Sequence, residues 1–379
     1  MLSRPVWAEV DLNAVAHNVK QIKRLLKPGT QMMAVVKADA YGHGASSVAQ
    51  TALLSGADRL AVAILSEALA LRESGITAPI LILGYTPPEQ SCLLVANEIT
   101  QTVFTVEMAR AISRAAQKAG KTAKVHLKID TGMSRIGVTP EEAPGFAAAV
   151  ADLPGLEVEG AFTHMAVADE ADKTYTRWQF GRFMQAVQGI AARGINIPLK
   201  HVANSPTTLD LPEMHLDMVR PGIIIYGLWP SLEVKHEIDL KPAMQLKARV
   251  AYVKEVPAGT SVSYGRTFTT SAPSIIATLP IGYADGWSRL LSSKAEVLIH
   301  GRRVPLIGRV CMDQCMIDVT GVPDVRAGDE AVLFGCQDGQ CLPVEEVAAK
   351  MGTINYEMVC LISKRVPRRY VFGTWDREN

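Results

Sequence analysis

Between residues 30 and 225 the chain carries eight short apolar runs, most of them followed by a longer helical stretch, and few folds accept such a pattern. The apolar runs are 32–37, 59–63, 80–83, 99–103, 123–129, 156–163, 198–202 and 216–219. Helical patterns fill 44–55, 65–74, 88–96, 106–119, 140–151 and 172–193, and another at 12–27 precedes the first run. The segment 105–119 shows the logic. Thr105 can cap, Glu107 suits the first turn, and Gly120 stops the helix. Eight strands alternating with helices predict an α/β fold, a (β/α)8 TIM-type barrel. A doubly wound open sheet is the alternative, weakened because no G-x-G-x-x-G follows a strand.

After residue 227 the pattern changes to β-rich alternation at 246–256, 275–281, 295–300, 303–309, 315–319 and 330–334. Only 343–351 and 354–362 read as helical there. This predicts a mainly antiparallel β domain over 236–379, a barrel over 12–235, and an N-terminal strand within 1–11 that joins the β domain. A length of 379 residues agrees with two domains.

A net charge of +1 with no basic or acidic run argues against nucleic acid and anionic membrane surfaces as partners. No apolar stretch of about 18 residues spans a bilayer. The first residues hold no apolar signal core, so a cytoplasmic location is expected. The six cysteines form no CxxC pair, and no histidine stands at ligand spacing. They read as reduced structural thiols, and no metal site is expected.

Chemistry in such a barrel gathers at the carboxyl ends of the strands. Lys37 ends the first run. Buried there, its amine would be a neutral nucleophile suited to a Schiff base with pyridoxal 5'-phosphate; a snorkelling strand-end lysine is the plain alternative. Lys128 and Arg135 follow the fifth run, His164 the sixth, Asn204 and Ser205 the seventh, and Arg220, Gly222 and Ile223 the eighth. Ser205, Gly222 and Ile223 suit a phosphate, with hydroxyls from Tyr41 and Tyr356. Arg220 would reach the ring nitrogen, although an ordinary ion pair is its structural alternative. His164 could equally be a satisfied core histidine.

Eight strings occur in order along the whole chain: AVVKADAYGHG, KIDTGMSRIG, HVANSP, VRPGIIIYG, VSYG, PIGYADG, GRVCMDQ and TINYE. Together they closely resemble the alanine racemase family, the fold-type III pyridoxal phosphate enzymes. The resemblance implies that Lys37 carries the cofactor and acts as one catalytic base, with Tyr264 of a second subunit as the opposing base. Arg135 would hold the cofactor's phenolic oxygen and the substrate carboxylate. Lys128 stands where the family often carries a carbamylated lysine. His164 would bridge Tyr264 and Arg220, and Arg220 would bind the pyridine nitrogen. Tyr41, Ser205, Gly222, Ile223 and Tyr356 would hold the phosphate, with Asn204 nearby. Met312 of the second subunit, through its N–H, would bind the substrate carboxylate, with Asp313 beside it. Asp169, Tyr283, Arg289, Arg309 and Ile354 match an entry channel. Ser134, where many members have glycine, is the one small departure.

The implied activity is interconversion of L- and D-alanine by a homodimer with shared active sites, supplying D-alanine for peptidoglycan. A serine or broader-specificity racemase and a catabolic role remain alternatives. A decarboxylase would oppose the pyridine nitrogen with an acid rather than Arg220. A non-catalytic pyridoxal phosphate carrier would not need the β domain.

Overall fold

The computed structural model describes residues 4–372. Strand β1 (Val6–Asp11) opens it. The chain then divides into two compact units, one made of Ala14–Ala40 and Ala45–Pro242, the other of the residues up to Asn13, Tyr41–Gly44 and those from Ala243 onward.

The first unit holds β2 (Gln31–Val35), β3 (Arg59–Val62), β4 (Ile80–Ile82), β5 (Thr100–Val103), β6 (Ala123–Lys128), β7 (Leu156–Phe162), β8 (Leu199–His201) and β9 (Met218–Val219). Every pairing is parallel, in the order β8-β7-β6-β5-β4-β3-β2-β9. The two ends meet, since the Arg220 N–H donates to Ala203 O at 2.8 Å and the Asp217 N–H to Lys200 O at 3.2 Å. The result is a nearly closed eight-stranded barrel. Its strands read as apolar runs because both faces are covered: Leu60, Ala61, Val62, Ile80 and Ile82 are all fully buried. The helix Val106–Ala119 begins where the Thr105 hydroxyl accepts from the Met108 N–H at 3.2 Å, and it ends at Gly120 in the left-handed region.

The second unit is built on β1 together with β10 (Met244–Arg249), β11 (Tyr252–Val256), β12 (Ser261–Val262), β13 (Phe268–Thr269), β14 (Ser274–Leu279), β15 (Glu296–Ile299), β16 (Arg302–Ile307), β17 (Cys315–Asp318), β18 (Glu330–Gln337), β19 (Gln340–Leu342) and β20 (Arg368–Val371). The main sheet runs β11-β14-β17-β16-β15-β18-β10-β1-β20, with β19 on β18 and β12-β13 a separate pair. Its pairings are antiparallel except β1 with β20. The run 246–256, which reads as one strand, is two. At the break the Val250 N–H goes to Asp329 O and the Ala251 N–H to Thr278 O, so the chain leaves one neighbour for another.

Two cysteines also differ from expectation. Cys336 and Cys341 face each other across the β18-β19 hairpin and form a disulfide, whereas Cys92, Cys311, Cys315 and Cys360 are free thiols. Directly opposed positions on antiparallel strands bring two Cβ atoms within bridging distance, which spacing alone does not show. No helix among the described residues is long and apolar enough to cross a membrane, and no cluster there could hold a metal ion. Alkylation of the denatured, unreduced protein should therefore label four thiols. Labelling of all six would mean that the hairpin is a dithiol.

Candidate active site

Beyond β2 the backbone turns abruptly. Ala38, Asp39, Ala40 and Tyr41 all take left-handed conformations, with φ between 51° and 54°. For residues with a Cβ this costs roughly 1–2 kcal/mol each, so other groups must hold it. Glu67 does so with both oxygens, accepting from the Ala38 N–H at 2.6 Å and the Ala63 N–H at 2.8 Å. Asp39 accepts from the Ala45 N–H at 2.7 Å. Lys37, half-buried, stands at the start of this turn.

After β6, one oxygen of Asp130 accepts the N–H groups of Gly132, Met133 and Ser134, each at 3.0 Å, and so shapes the loop that carries exposed Arg135. Burial works against the Asp130 carboxylate, but these donors and the nearby Lys128 charge hold its pKa below the usual range. Lys128 is buried at the end of β6, its amine donating to Ile129 O at 3.1 Å. Desolvation, together with the Arg220 charge, lowers its pKa to about 7.

Arg220 follows β9 and is 4% exposed. Its Nη1 donates to His201 O at 2.9 Å and to His201 Nδ1 at 3.0 Å. Its Nη2 donates to Thr163 O at 2.9 Å, Val202 O at 3.3 Å and His164 Nδ1 at 3.4 Å. Burial lowers its pKa to about 9, which leaves it a cation at neutral pH. Its Nε–H has no partner among the described residues. His164 must accept at Nδ1, because a guanidinium only donates, so the neutral ring carries its proton on Nε2. Desolvation and the charges of Arg220, Arg135, Lys128 and Lys37 push the His164 pKa well below its ordinary value.

Next to them, buried Ser205 accepts from the Gly222 N–H at 2.8 Å, and Asn204 caps the turn with its side chain on the Thr207 N–H. The Ile223 N–H, at the start of the turn Ile223–Tyr226, has no partner among the described residues. Asp169 lies apart on an exposed loop, where its carbonyl accepts from Ser231.

The remaining residues belong to the second unit. Its three motifs meet in one place. The Ser263 hydroxyl donates to Arg309 O at 2.6 Å, while the Tyr283 N–H and Ala284 N–H donate to Cys311 O and Met312 O at 3.1 and 3.0 Å. A Cβ on Gly282 would lie 2.2 Å from Cys311 O, so that approach needs glycine, and Gly265 takes a φ of 72° beside Arg309. These contacts present Tyr264, 70% exposed, and Met312, 52% exposed, beside Tyr283, Arg309 and Asp313; Asp313 is held by Arg365 at 2.6 Å. Arg289 and Ile354 are exposed as well. Tyr41 and Tyr356 form a ring pair at 6.1 Å, and burial raises the Tyr41 pKa, which keeps it a phenol.

Reading the sequence did not single out Gln179, which fixes the His164 loop by donating to His164 O and accepting from the Ala166 N–H. Nor did it single out His126 and Glu159. Within the barrel His126 Nδ1 lies 2.8 Å from His201 Nε2, and His126 Nε2 lies 3.0 Å from Glu159 Oε2.

The barrel and the β domain are each matched by known proteins. The family model for the N-terminal domain of alanine racemases matches residues 10–230, and that for the C-terminal domain matches 243–370. An alanine racemase of Desulfovibrio desulfuricans is 57% identical over 97% of this chain and 98% of its own length. One of Methanococcus maripaludis is 52% identical over 98% and 100%. Among solved structures, alanine racemase of Clostridium difficile 630 superimposes with a TM-score of 0.95 at 43% identity, covering 98% of this chain and 97% of that one. Alanine racemase of Bacillus anthracis with bound L-Ala-P gives 0.93 at 42% identity, covering 98% and 96%. The chain belongs to the alanine racemase family.

The Lys128 shift makes a testable statement about stability. The unfolded chain keeps that proton up to about pH 10.5, whereas the folded one sheds it near about pH 7. Burying the cation therefore weakens the fold below that window, and the penalty lifts as pH rises through it. In buffer free of carbon dioxide, the unfolding free energy should rise more steeply between these limits in wild type than in Lys128→Met. Equal slopes in urea titrations would contradict the shift.

Proposed function

We propose that this chain is an alanine racemase, a cytoplasmic homodimer that binds pyridoxal 5'-phosphate and interconverts L- and D-alanine. The observation that carries the cofactor reading is Arg220. Both its terminal nitrogens are anchored on carbonyls and imidazoles, and the Nε–H is left over. A donor so placed fits a pyridine nitrogen. The Ser205 hydroxyl and the Ile223 N–H fit a phosphate, with Gly222, whose N–H holds Ser205, and Asn204 in support and phenol donors from Tyr41 and Tyr356.

When bound, the cofactor supplies an electron-withdrawing ring that makes the α-C–H of a joined amino acid acidic. Lys37 Nζ then moves a proton on one face and the Tyr264 oxygen, from the second subunit, on the other. Reversible racemisation requires two such bases on opposite sides. An ordinary tyrosine is too weakly acidic for this at neutral pH. The Nε2–H of neutral His164, polarised by Arg220 at its Nδ1, would donate to the Tyr264 oxygen and favour its phenolate. Arg220 keeps its own proton, so the ring nitrogen it meets stays unprotonated and the ring is a weaker electron sink, which limits side reactions.

Arg135 and the Met312 N–H would hold the substrate carboxylate. Lys128, neutral above about pH 7, has the free amine that adds to carbon dioxide, losing a proton and giving a carbamate that would orient Arg135. Met312 and Tyr356 beside the substrate side chain would leave room for a methyl group. Asp169, Tyr283, Arg289, Arg309, Asp313 and Ile354 would line the approach. The D-alanine formed would serve peptidoglycan. The exposure of Tyr264 supports a partner subunit as its place of action.

Cofactor-loaded protein added to L-alanine should bring the ellipticity to zero, and Lys37→Ala should not. A flat trace from folded, loaded wild type would overturn the activity. Tyr264→Phe should lose about 10²–10⁴-fold in kcat, the range for removing a positioned base. Mixing inactive Lys37→Ala and Tyr264→Phe chains should restore part of the activity. No recovery despite demonstrated subunit exchange would place both bases in one chain.

A further inference from the structure

The barrel interior holds a line of polar side chains where such barrels ordinarily pack Val, Ile and Leu. It starts at Glu159 in the middle of β7. There Arg59 Nη1 donates to Glu159 Oε2 at 2.8 Å and Lys124 Nζ to Oε1 at 2.9 Å. It passes through His126 and His201, both fully buried, and ends on Arg220 at the carboxyl ends.

Its direction follows from its two ends. A guanidinium has only donors and a carboxylate only acceptors. Arg220 Nη1 donates, so His201 Nδ1 accepts, and the neutral ring then carries its hydrogen on Nε2. That hydrogen goes to His126 Nδ1, so His126 also carries its hydrogen on Nε2 and gives it to Glu159. Every hydrogen bond points the same way, and neither ring can turn over without stranding a donor against a donor. Desolvation and the Arg220 charge disfavour protonation of both rings.

The line is tightly built. A Cβ on Gly160 would lie 2.6 Å from His126 Nδ1 and 2.9 Å from Leu199 O, so the imidazole rests on bare backbone. Phe162 stacks on His201 at 4.8 Å and 8°, and its ring lies 5.2 Å from Arg220 Cζ. Proton passage along the line is disfavoured, since Arg220 holds its proton to about pH 9 while the three donors keep Glu159 far below the usual carboxylate range. What the line conveys is orientation and polarisation. Stability alone is a poor reason for it, because apolar side chains of similar volume generally serve as well as a buried ionic network.

We propose that Glu159, His126 and His201 form a one-way hydrogen-bond relay that fixes Arg220 from behind, making them positioning residues for the proposed reaction. This rests on the reading of Arg220 as the group that meets the ring nitrogen. A loosened Arg220 would let that nitrogen gain a proton and strengthen the electron sink. More of the turnovers would then end in transamination, in which alanine's amino group passes to the cofactor, giving pyruvate and pyridoxamine phosphate.

The test has two arms. With ¹⁵N-labelled histidine in the pyridoxal-phosphate-loaded protein, both rings should be neutral Nε2–H tautomers between about pH 6 and 9. An Nδ1–H tautomer or an imidazolium at either ring would overturn the relay, whatever the enzyme does. In the second arm, His126→Leu should lower kcat about tenfold with KM little changed, a cost of about 1.4 kcal/mol in the transition state. It should also raise pyruvate formed per racemisation. His126→Gln, which keeps one acceptor and one donor, should return both values toward wild type. A folded His126→Leu with wild-type kcat and pyruvate yield would overturn the positioning role. If His126→Leu does not fold, the same comparison is made between wild type and Glu159→Gln. That variant has the same length but loses the charge facing Arg59 and Lys124 and puts an NH2 donor where an acceptor oxygen stood, which should raise the pyruvate yield, and an unchanged yield would again overturn the role. Failure of wild type to racemise alanine would defeat the functional reading alone and leave the tautomers to decide the relay.

Discussion

A buried guanidinium with one donor left over is the constraint on which the barrel unit turns. Arg220 could not be taken out of water unless nearly all its hydrogen bonds were met, and its two terminal nitrogens reach five acceptors on β8, β7 and the loops after them. Meeting them decides the tautomer of His164 and that of His201, and draws together the carboxyl ends of three strands. Phe162 supports the same group from beside, with Lys128 Nζ 5.5 Å from its ring.

Charge is the second organising quantity. Lys37, Lys128, Arg135 and Arg220 all act on His164, and Asp130 is the carboxylate whose effect on Lys128 opposes them. Such a gathering of basic side chains is suited to anions, and a phosphate and a carboxylate are the two anions that the proposed chemistry brings. Burial, with the Arg220 charge added to it, leaves Lys128 easily deprotonated. An amine that gives up its proton near neutrality is a different reagent from an ordinary lysine, and burial rather than any neighbouring base makes it so.

The barrel was legible because its strands are buried on both faces, so stretches such as Ile80–Ile82 read as unbroken apolar runs. The strand-end cluster was legible because barrel chemistry gathers at one end of the strands and Lys37, Lys128, His164 and Arg220 all fall there. Other features carry no local mark. The left-handed turn at Ala38–Tyr41 contains no glycine, and its support comes from Glu67, a residue of the next helix. The break at Val250 lies inside an alternation of period two, which records which face a residue takes and not which strand it pairs with. Cys336 and Cys341 became a pair only once the register of β18 and β19 was known. His126 and Glu159 look like ordinary strand polar residues until three strands are laid side by side.

The place of β1 has a consequence for how the chain is made. It lies between β10 and β20, antiparallel to the first and parallel to the second, yet both partners come some 230 residues or more after it. A chain emerging from the ribosome presents Val6–Asp11 before the entire barrel sequence. Throughout that time β1, with Val6, Trp7, Ala8 and Val10 destined for full burial, has an apolar face and two open edges and nothing of its own sheet to join. β1 is thus made long before its partners, and the sheet of the second unit can be complete only once β20 has been made.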